Sequence, residues 1–270
     1  LIVVSAASGA LGRLVVAELL AAVPAGQVVA AVRDPGRAAD LAAQGVQVRR
    51  GDYDDAASLG DAFDGADRLL LISSPELDTA RRTAQHLAAI EAADAAGVER
   101  IVYTSFLGAD RAGDGMNAAH HATERALVAS GPGHTVLRHP FYSDAFVNAG
   151  LRSAVDSGRL VSATGGRGLN TASRADLAAA AAAVLTDDGH AGRSYDLTGP
   201  LWTYPQLAEE LARATGRPVA HQAGDVPGPM GFLMGLARAG ALERQTDDLH
   251  HLLGRPPTSL RQAVAAALAG

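Results

Sequence analysis

The sequence predicts an α/β protein, a doubly wound parallel sheet with a smaller C-terminal α/β lobe. Three observations carry this. The chain opens on a β-branched apolar run, Leu1-Ile2-Val3-Val4-Ser5, then a small-residue turn, a helical-period segment and a second apolar run, Val28–Val32. Short apolar runs keep alternating with helical-period segments to about residue 139, the pattern of repeated β-α units and hence of parallel strands. The run Arg68-Leu69-Leu70-Leu71-Ile72 is apolar without alternation, as expected for a strand covered by helices on both faces.

Taken in order, the first helix is predicted over Ala10–Val23 and is broken by Pro24-Ala25-Gly26. The strand over Val28–Val32 stops at Arg33-Asp34-Pro35, where Asp34 reads as a cap for the next turn. Gly45–Arg50 is the third strand, Ala56–Phe63 a helix, and Arg68–Ile72 the fourth strand, ending in Ser73-Ser74-Pro75. A long helix over Thr79–Ala96 contains Gln85 and His86, and Arg100–Ser105 is strand five. A looser segment, Gly108–Gly115, leads to a helix over Asn117–Ser130. There His120 and Glu124, at i and i+4, share one face. A strand over Thr135–Arg138 follows.

Beyond Tyr142 the alternation loosens. The spacing predicts a helix over Ala145–Ser157, a short strand over Leu160–Ala163 and a helix over Ser173–Leu185. A strand over Tyr195–Leu197, a helix over Trp202–Thr215 and a last helix near Leu260–Leu268 complete the chain. Residues 1–145 are expected to form the main domain. Residues 146–270 are expected to form a smaller lobe, with some elements returning to the main sheet. No period of roughly 20–50 residues marks a repeat architecture.

Composition narrows the function classes. A chain of 270 residues with 48% hydrophobic and 19% charged content can bury a large core. A net charge of −6 gives nucleic-acid binding no electrostatic support. No apolar run approaches the roughly 18–20 residues of a membrane span, and no secretory pattern opens the chain. Cysteine is absent, which excludes disulfides, thiolate metal sites and cysteine nucleophiles and fits a cytoplasmic location. All 23 basic residues are arginine, so neither a Schiff base nor a catalytic lysine is available. No metal site is expected: the adjacent pairs His120-His121 and His250-His251 diverge on a helix. No Gly-x-Ser-x-Gly elbow occurs. The chain opens at Leu1 rather than Met, so preceding residues are expected. A homodimer is compatible with the sequence.

The turn Ala6-Ala7-Ser8-Gly9-Ala10-Leu11-Gly12 lies between a strand and a helix, where the fingerprint of a Rossmann-type dinucleotide site belongs. Small residues there let backbone N–H groups approach a pyrophosphate. Gly9 and Gly12 fill the second and third glycine positions, and Ala6 replaces the first. After the second strand, Arg33 leads and Arg37 lies one turn on. That favours the 2′-phosphate of NADP(H) over the free hydroxyl of NAD, the alternative being a solvated basic face. Asp52 and Tyr53 follow the third strand and suit the adenine, although the carboxylates there serve equally well as caps for the helix Ala56–Phe63. Ser73 and Ser74 follow the fourth strand at the carboxyl edge, where open α/β sheets bind ligands.

With these residues in view, the chain resembles the NmrA-like atypical short-chain dehydrogenase/reductases, most closely their quinone oxidoreductase and triphenylmethane reductase branch. The likeness rests on Gly9-Ala10-Leu11-Gly12, Ala31-Val32-Arg33, Ala43-Gln44-Gly45-Val46, Gly51-Asp52-Tyr53, Leu71-Ile72-Ser73, Gln85-His86, Ala96-Gly97-Val98, Tyr103-Thr104, His120-His121-Ala122-Thr123-Glu124, Leu137-Arg138, Tyr142-Ser143-Asp144 and Ser173-Arg174-Ala175-Asp176. The resemblance implies NADP(H) held by Gly9–Gly12, Arg33, Ser73 and the loop Arg138-His139-Pro140-Phe141-Tyr142, with Thr104 at the same edge and Arg174 from the smaller lobe. It also implies a small aromatic or quinoid substrate near Gln85, Phe106, Phe141, Tyr142, Phe146 and Trp202. Three positions depart from the family pattern. Ala6 stands for glycine, His139 stands for an asparagine, and Gly224–Glu243 is shorter. The first bears on cofactor affinity and the others on the acceptor.

Typical members of the wider superfamily use a Tyr-x-x-x-Lys pair, which a lysine-free chain cannot form. His120-x-x-x-Glu124 has the same spacing, and two readings stand. Either His120 donates a proton and Glu124 tunes it, or both shape the ribose pocket or cap local backbone. The activity expected is hydride transfer from NADPH to a conjugated, electron-poor acceptor. The alternative is a non-catalytic NADP(H)-binding redox sensor of the NmrA type.

Overall fold

A computed structural model of the protein describes residues 1–111 and 115–269. The chain runs β1 (Ile2–Val4), α1 (Ala10–Ala22), β2 (Val28–Val32), α2 (Ala39–Ala42), β3 (Gln47–Arg50), α3 (Ala56–Phe63) and β4 (Arg68–Leu71). Then follow α4 (Thr79–Ala95), β5 (Arg100–Phe106), α5 (Ala118–Ala129), β6 (Gly133–His139), α6 (Arg152–Ser157), β7 (Arg159–Ser162) and β8 (Leu169–Asn170). The remainder is α7 (Arg174–Thr186), β9 (Ser194–Asp196), β10 (Leu201–Trp202), α8 (Tyr204–Thr215), β11 (Ala220–Ala223), α9 (Gly228–Arg238), α10 (Asp248–Leu253) and α11 (Leu260–Ala269). Part of the expected loose segment, residues 112–114, lies outside the described residues.

Two compact units emerge: Leu1–His139 with Leu177–Asp196, and Pro140–Asp176 with Leu197–Gly270. The division thus follows His139 rather than residue 145, and most of α7 together with β9 belongs to the first unit.

The first unit is built on a seven-stranded sheet of order β3-β2-β1-β4-β5-β6-β9, with every pairing parallel. All carboxyl ends therefore face one edge, and the winding reverses between β1 and β4, where a crevice forms. Every residue of β2 is buried, as its unbroken apolar run requires. Leu69 and Leu71 pack with Phe63, Ile90, Ala93 and Val136, while the intervening Leu70 is equally buried. The β9 strand joins the sheet because the end of α7 is anchored. Arg100 Nη2 donates to the carbonyls of Val184 (3.1 Å) and Asp187 (2.7 Å), and Arg68 donates to Leu185 and pairs with Asp188. Cations at a helix C-terminus are favoured by its dipole.

The second unit has its own core of Phe146, Leu160, Trp202, Tyr204, Leu207, Leu211, Met234 and Val264. Its strands form two pairs, β10 with β8 antiparallel and β11 with β7 parallel. The single helix expected over Ala145–Ser157 is replaced by two 3₁₀ turns, Ser143–Ala145 and Ala149–Leu151, ahead of α6. Asn148 accounts for the break: its side chain accepts from the Gly150 N–H (2.9 Å) and starts a new turn. The helix expected from Trp202 starts at Tyr204, because Thr203 and Gln206 form a capping box and Leu201–Trp202 pairs with β8. Among the described residues no helix is long and apolar enough to cross a membrane.

Candidate active site

The turn after β1 is shaped by a close approach of backbone to backbone. A Cβ on Gly12 would lie 2.6 Å from the Ala6 carbonyl oxygen and 2.7 Å from the Ala7 Cα, so only glycine fits there. Ala6 takes a φ of +48°, the left-handed region that glycine adopts freely and alanine at a cost of about 1–2 kcal/mol. The Gly9 N–H closes the turn on the Ala6 carbonyl at 2.9 Å. Helix α1 starts here with no side-chain cap and no acidic residue in its first turn. Its first N–H groups, around Ala10, Leu11 and Gly12, have no intrahelical acceptor and point where a diphosphate would sit. The turn therefore fits a dinucleotide.

The flanking loops complete the edge. Arg33 is exposed at the end of β2, and among the described residues neither its guanidinium nor that of Arg37 donates a hydrogen bond. Asp34 caps the following turn by accepting from Gly36 N–H (3.0 Å). Beyond β3, Asp52 accepts from Asp54 N–H and Asp55 caps α3 through Ser58 N–H. Tyr53 turns its hydroxyl inward, 2.6 Å from Ser5 Oγ and 2.5 Å from the Ile72 carbonyl. It ties the ends of β1 and β4 together.

After β4, Ser73 and Ser74 are held by a buried polar cluster. Ser73 N–H donates to Thr104 Oγ1 (2.9 Å), and Arg82 Nη2 donates to Ser73 Oγ (2.7 Å). Ser74 Oγ donates to Gln85 Oε1 (2.5 Å), and Gln85 Nε2 donates to Asp54 (2.9 Å), so both ends of Gln85 are engaged. Ser74 N–H donates to His86 Nε2 at 2.9 Å. That nitrogen is therefore unprotonated, and His86 Nδ1–H donates to Thr123 Oγ1 (2.9 Å). Since Thr123 passes its own proton to the Ala119 carbonyl, the direction of the chain is fixed. Tyr103 Oη faces the protonated His86 Nδ1 at 3.4 Å and hydrogen-bonds with His120 Nδ1 at 2.9 Å.

Burial pushes the His120 imidazole down to about 3, with Arg82, His86 and His139 adding repulsion. Burial likewise takes His86 to about 3, reinforced by Arg82, and His139 to about 3. Burial also drives the Tyr103 phenol upward. Glu124 accepts from Arg138 Nε (2.9 Å) and Nη2 (2.7 Å) and from Ser105 Oγ (2.6 Å). Arg138 Nη1 adds Asp196 at 3.4 Å and Asp110 at 3.8 Å. His120 and Glu124 thus share a helix face but belong to separate networks, one neutral and one ionic. Phe106, at the end of β5, lies 6.0 Å from His120 between ring centroids.

In the second unit, Phe146 and Trp202 are core residues. Trp202 donates its indole N–H to Thr171 and packs edge-on against Phe146. Phe141 packs on Phe146. Tyr142 lies under the Arg174 guanidinium, 4.2 Å from ring centroid to Cζ, and Arg174 pairs with Asp144. Arg13, Arg82, Tyr103 and Thr123 received no role from sequence. The one local signal that could have pointed to any of them is the basic residue Arg13 in the first turn of a helix, where the dipole disfavours a cation.

The profile of a family described as NAD(P)H-binding matches residues 6–188. The chain belongs to this family. Within the NAD(P)H-binding proteins it is 40% identical to quinone oxidoreductase 2 of Escherichia coli over 98% of each chain. Its fold matches the Citrobacter sp. triphenylmethane reductase complexed with NADP(H) at a TM-score of 0.94 and 37% identity, covering 99% of this chain and 100% of that one. It matches the NADPH-dependent quinone oxidoreductase of E. coli complexed with NADPH at a TM-score of 0.88 and 40% identity, covering 98% and 99%.

Proposed function

We propose that this NAD(P)H-binding protein transfers hydride from NADPH to a quinone-like or similarly conjugated, electron-poor small molecule, without a protein-bound general acid. One observation carries the reading: the three imidazoles buried at this end of the sheet hold no imidazolium proton that they could release near neutral pH. His86, His120 and His139 are held neutral, with their pKa values near 3. Glu124 is clamped by two hydrogen bonds from Arg138. A simple ketone needs a proton as the hydride arrives. A quinone accepts hydride to give a delocalised hydroquinone anion and then takes its proton from water.

The bound cofactor supplies the hydride. The chain's own work is positional. Backbone N–H groups after Gly9 hold the diphosphate, and Arg33 meets the 2′-phosphate. Ser73 and Ser74, fixed by Thr104 and His86, shape the floor of the crevice, and Phe106 provides an apolar wall. In the second unit Tyr142 is half-buried, whereas Phe146 and Trp202 are buried in that unit's core.

The test is NADPH oxidation on adding a small benzoquinone under single-turnover conditions. Oxidation with a flat rate–pH profile supports the proposal. Tight NADPH binding without oxidation of any quinone would favour the redox-sensor alternative.

A further inference from the structure

Arg13 sits in the first turn of α1, where the helix dipole disfavours a cation, and each of its three guanidinium nitrogens has a partner. Nε donates to the Ser8 carbonyl in the glycine turn (3.2 Å), Nη2 donates to the Arg37 carbonyl in the loop after β2 (2.8 Å), and Nη1 pairs with Asp40. Arg37 is thereby pinned on both sides, because its N–H also donates to the Asp34 carbonyl at 3.1 Å. The same turn is seated by Ala38, which is fully buried.

We propose that Arg13 is a specificity-determining, positioning residue for the 2′-phosphorylated cofactor. It clamps the loop carrying Arg33 and Arg37 onto the glycine turn, and it neutralises Asp40. This rests on the NADPH reading above. Two effects follow from one side chain. The clamp fixes the loop whose two exposed guanidinium groups donate no hydrogen bond among the described residues, which leaves their N–H groups to an anion. The ion pair silences a carboxylate three residues beyond Arg37 that would otherwise repel a phosphate dianion. The Arg13 guanidinium holds the Asp40 carboxyl below the usual carboxylate range, which agrees with a committed pair. Arg13 itself adds no net charge, since Asp40 cancels it. Its contribution lies in geometry and in masking.

The experiment titrates 2′,5′-ADP and 5′-ADP against the full chain and four variants: Arg13→Met, Arg13→Lys, Asp40→Asn and Arg13→Met/Asp40→Asn. Arg13→Met is expected to weaken 2′,5′-ADP about tenfold, the scale of one charge-assisted hydrogen bond, and 5′-ADP less than about twofold. Arg13→Lys retains the charge but not the fork, so it is expected to fall between wild type and Arg13→Met. Adding Asp40→Asn to Arg13→Met removes the unmasked carboxylate. It is expected to recover a large part of the lost 2′,5′-ADP affinity, and that recovery should shrink at high salt. A merely structural role for Arg13 predicts no such rescue. Equal losses for both nucleotides, or no recovery in the double variant, would overturn the proposal while leaving NADPH preference intact. A wild type that binds both nucleotides equally would instead overturn the NADPH reading, and this inference with it.

Discussion

Tyr103 Oη lies 2.9 Å from His120 Nδ1 and 3.4 Å from His86 Nδ1, the nitrogen that the Ser74 N–H on Nε2 leaves protonated. The imidazole that occupies the place of a catalytic acid is held neutral by burial, with its pKa near 3, and so carries no imidazolium proton to release near pH 7. We expect His120→Ala to lower single-turnover NADPH oxidation by less than about tenfold, where a general acid typically contributes about 10²–10⁴. The wild-type rate should show no step near pH 6.5 between about pH 5.5 and 8.5. A thousandfold loss with intact cofactor affinity would make His120 the proton donor.

The same neutrality has a cost in acid. His86, His120 and His139 titrate near 3 when folded and near 6.5 when unfolded. Between those values the unfolded chain binds more protons, so stability rises with pH and is lost as the pH falls below about 6.5. Each histidine should contribute a slope of up to about 1.4 kcal/mol per pH unit in that window. Urea melts from pH 7 to 5 on wild type and His86→Gln check this, and the variant should show the shallower slope.

Ala6→Gly should relieve the positive-φ strain of Ala6. The expected gain is about 1 kcal/mol in stability, offset in part by the freedom glycine adds to the unfolded chain, with NADPH binding several-fold tighter. Gly12→Ala should do the reverse, because its methyl meets only backbone. Calorimetric titration of NADPH on both variants decides, and an unchanged affinity in Ala6→Gly would refute the strain argument.

Arg33→Ala should weaken NADPH by about 1.5–3 kcal/mol while leaving NADH nearly unchanged, since only the 2′-phosphate distinguishes the two. Fluorescence titration with both cofactors is the measurement, and a parallel loss for NADH would place Arg33 elsewhere in the site.

The Arg138 cluster should respond asymmetrically. Arg138→Met removes the guanidinium that Glu124 shares with Asp196 and Asp110, and is expected to cost about 3–5 kcal/mol. Glu124→Gln leaves Arg138 with two carboxylates and should cost less. Denaturant melts of the two variants would expose the error if the order were reversed.

Much of the first unit was legible in sequence, because a parallel sheet buried on both faces writes its strands as apolar runs. Val28–Val32 and Ala56–Phe63 fall where their patterns predict. The second unit was less legible. Its strand pairs rest on two to four residues from distant parts of the chain, such as Leu201–Trp202 with Leu169–Asn170, and no periodicity marks them. Asn148 breaks an apolar helical pattern by a local hydrogen bond that only its geometry reveals. At the site, the turn, Arg33 and the Ser73–Ser74 segment could be read from their places after strands. The engagement of Gln85 at both ends and the Glu124–Arg138 lock could not, since each joins elements far apart in sequence.

Trp202 is the chain's single tryptophan, and it sits in the core of the second unit against Phe146 and Tyr204. Indole emission consequently reports on the core of that unit, whereas far-ultraviolet dichroism sees the helices and strands of both. A denaturation followed by the two signals side by side would resolve whether the units melt together or in sequence, with no label introduced.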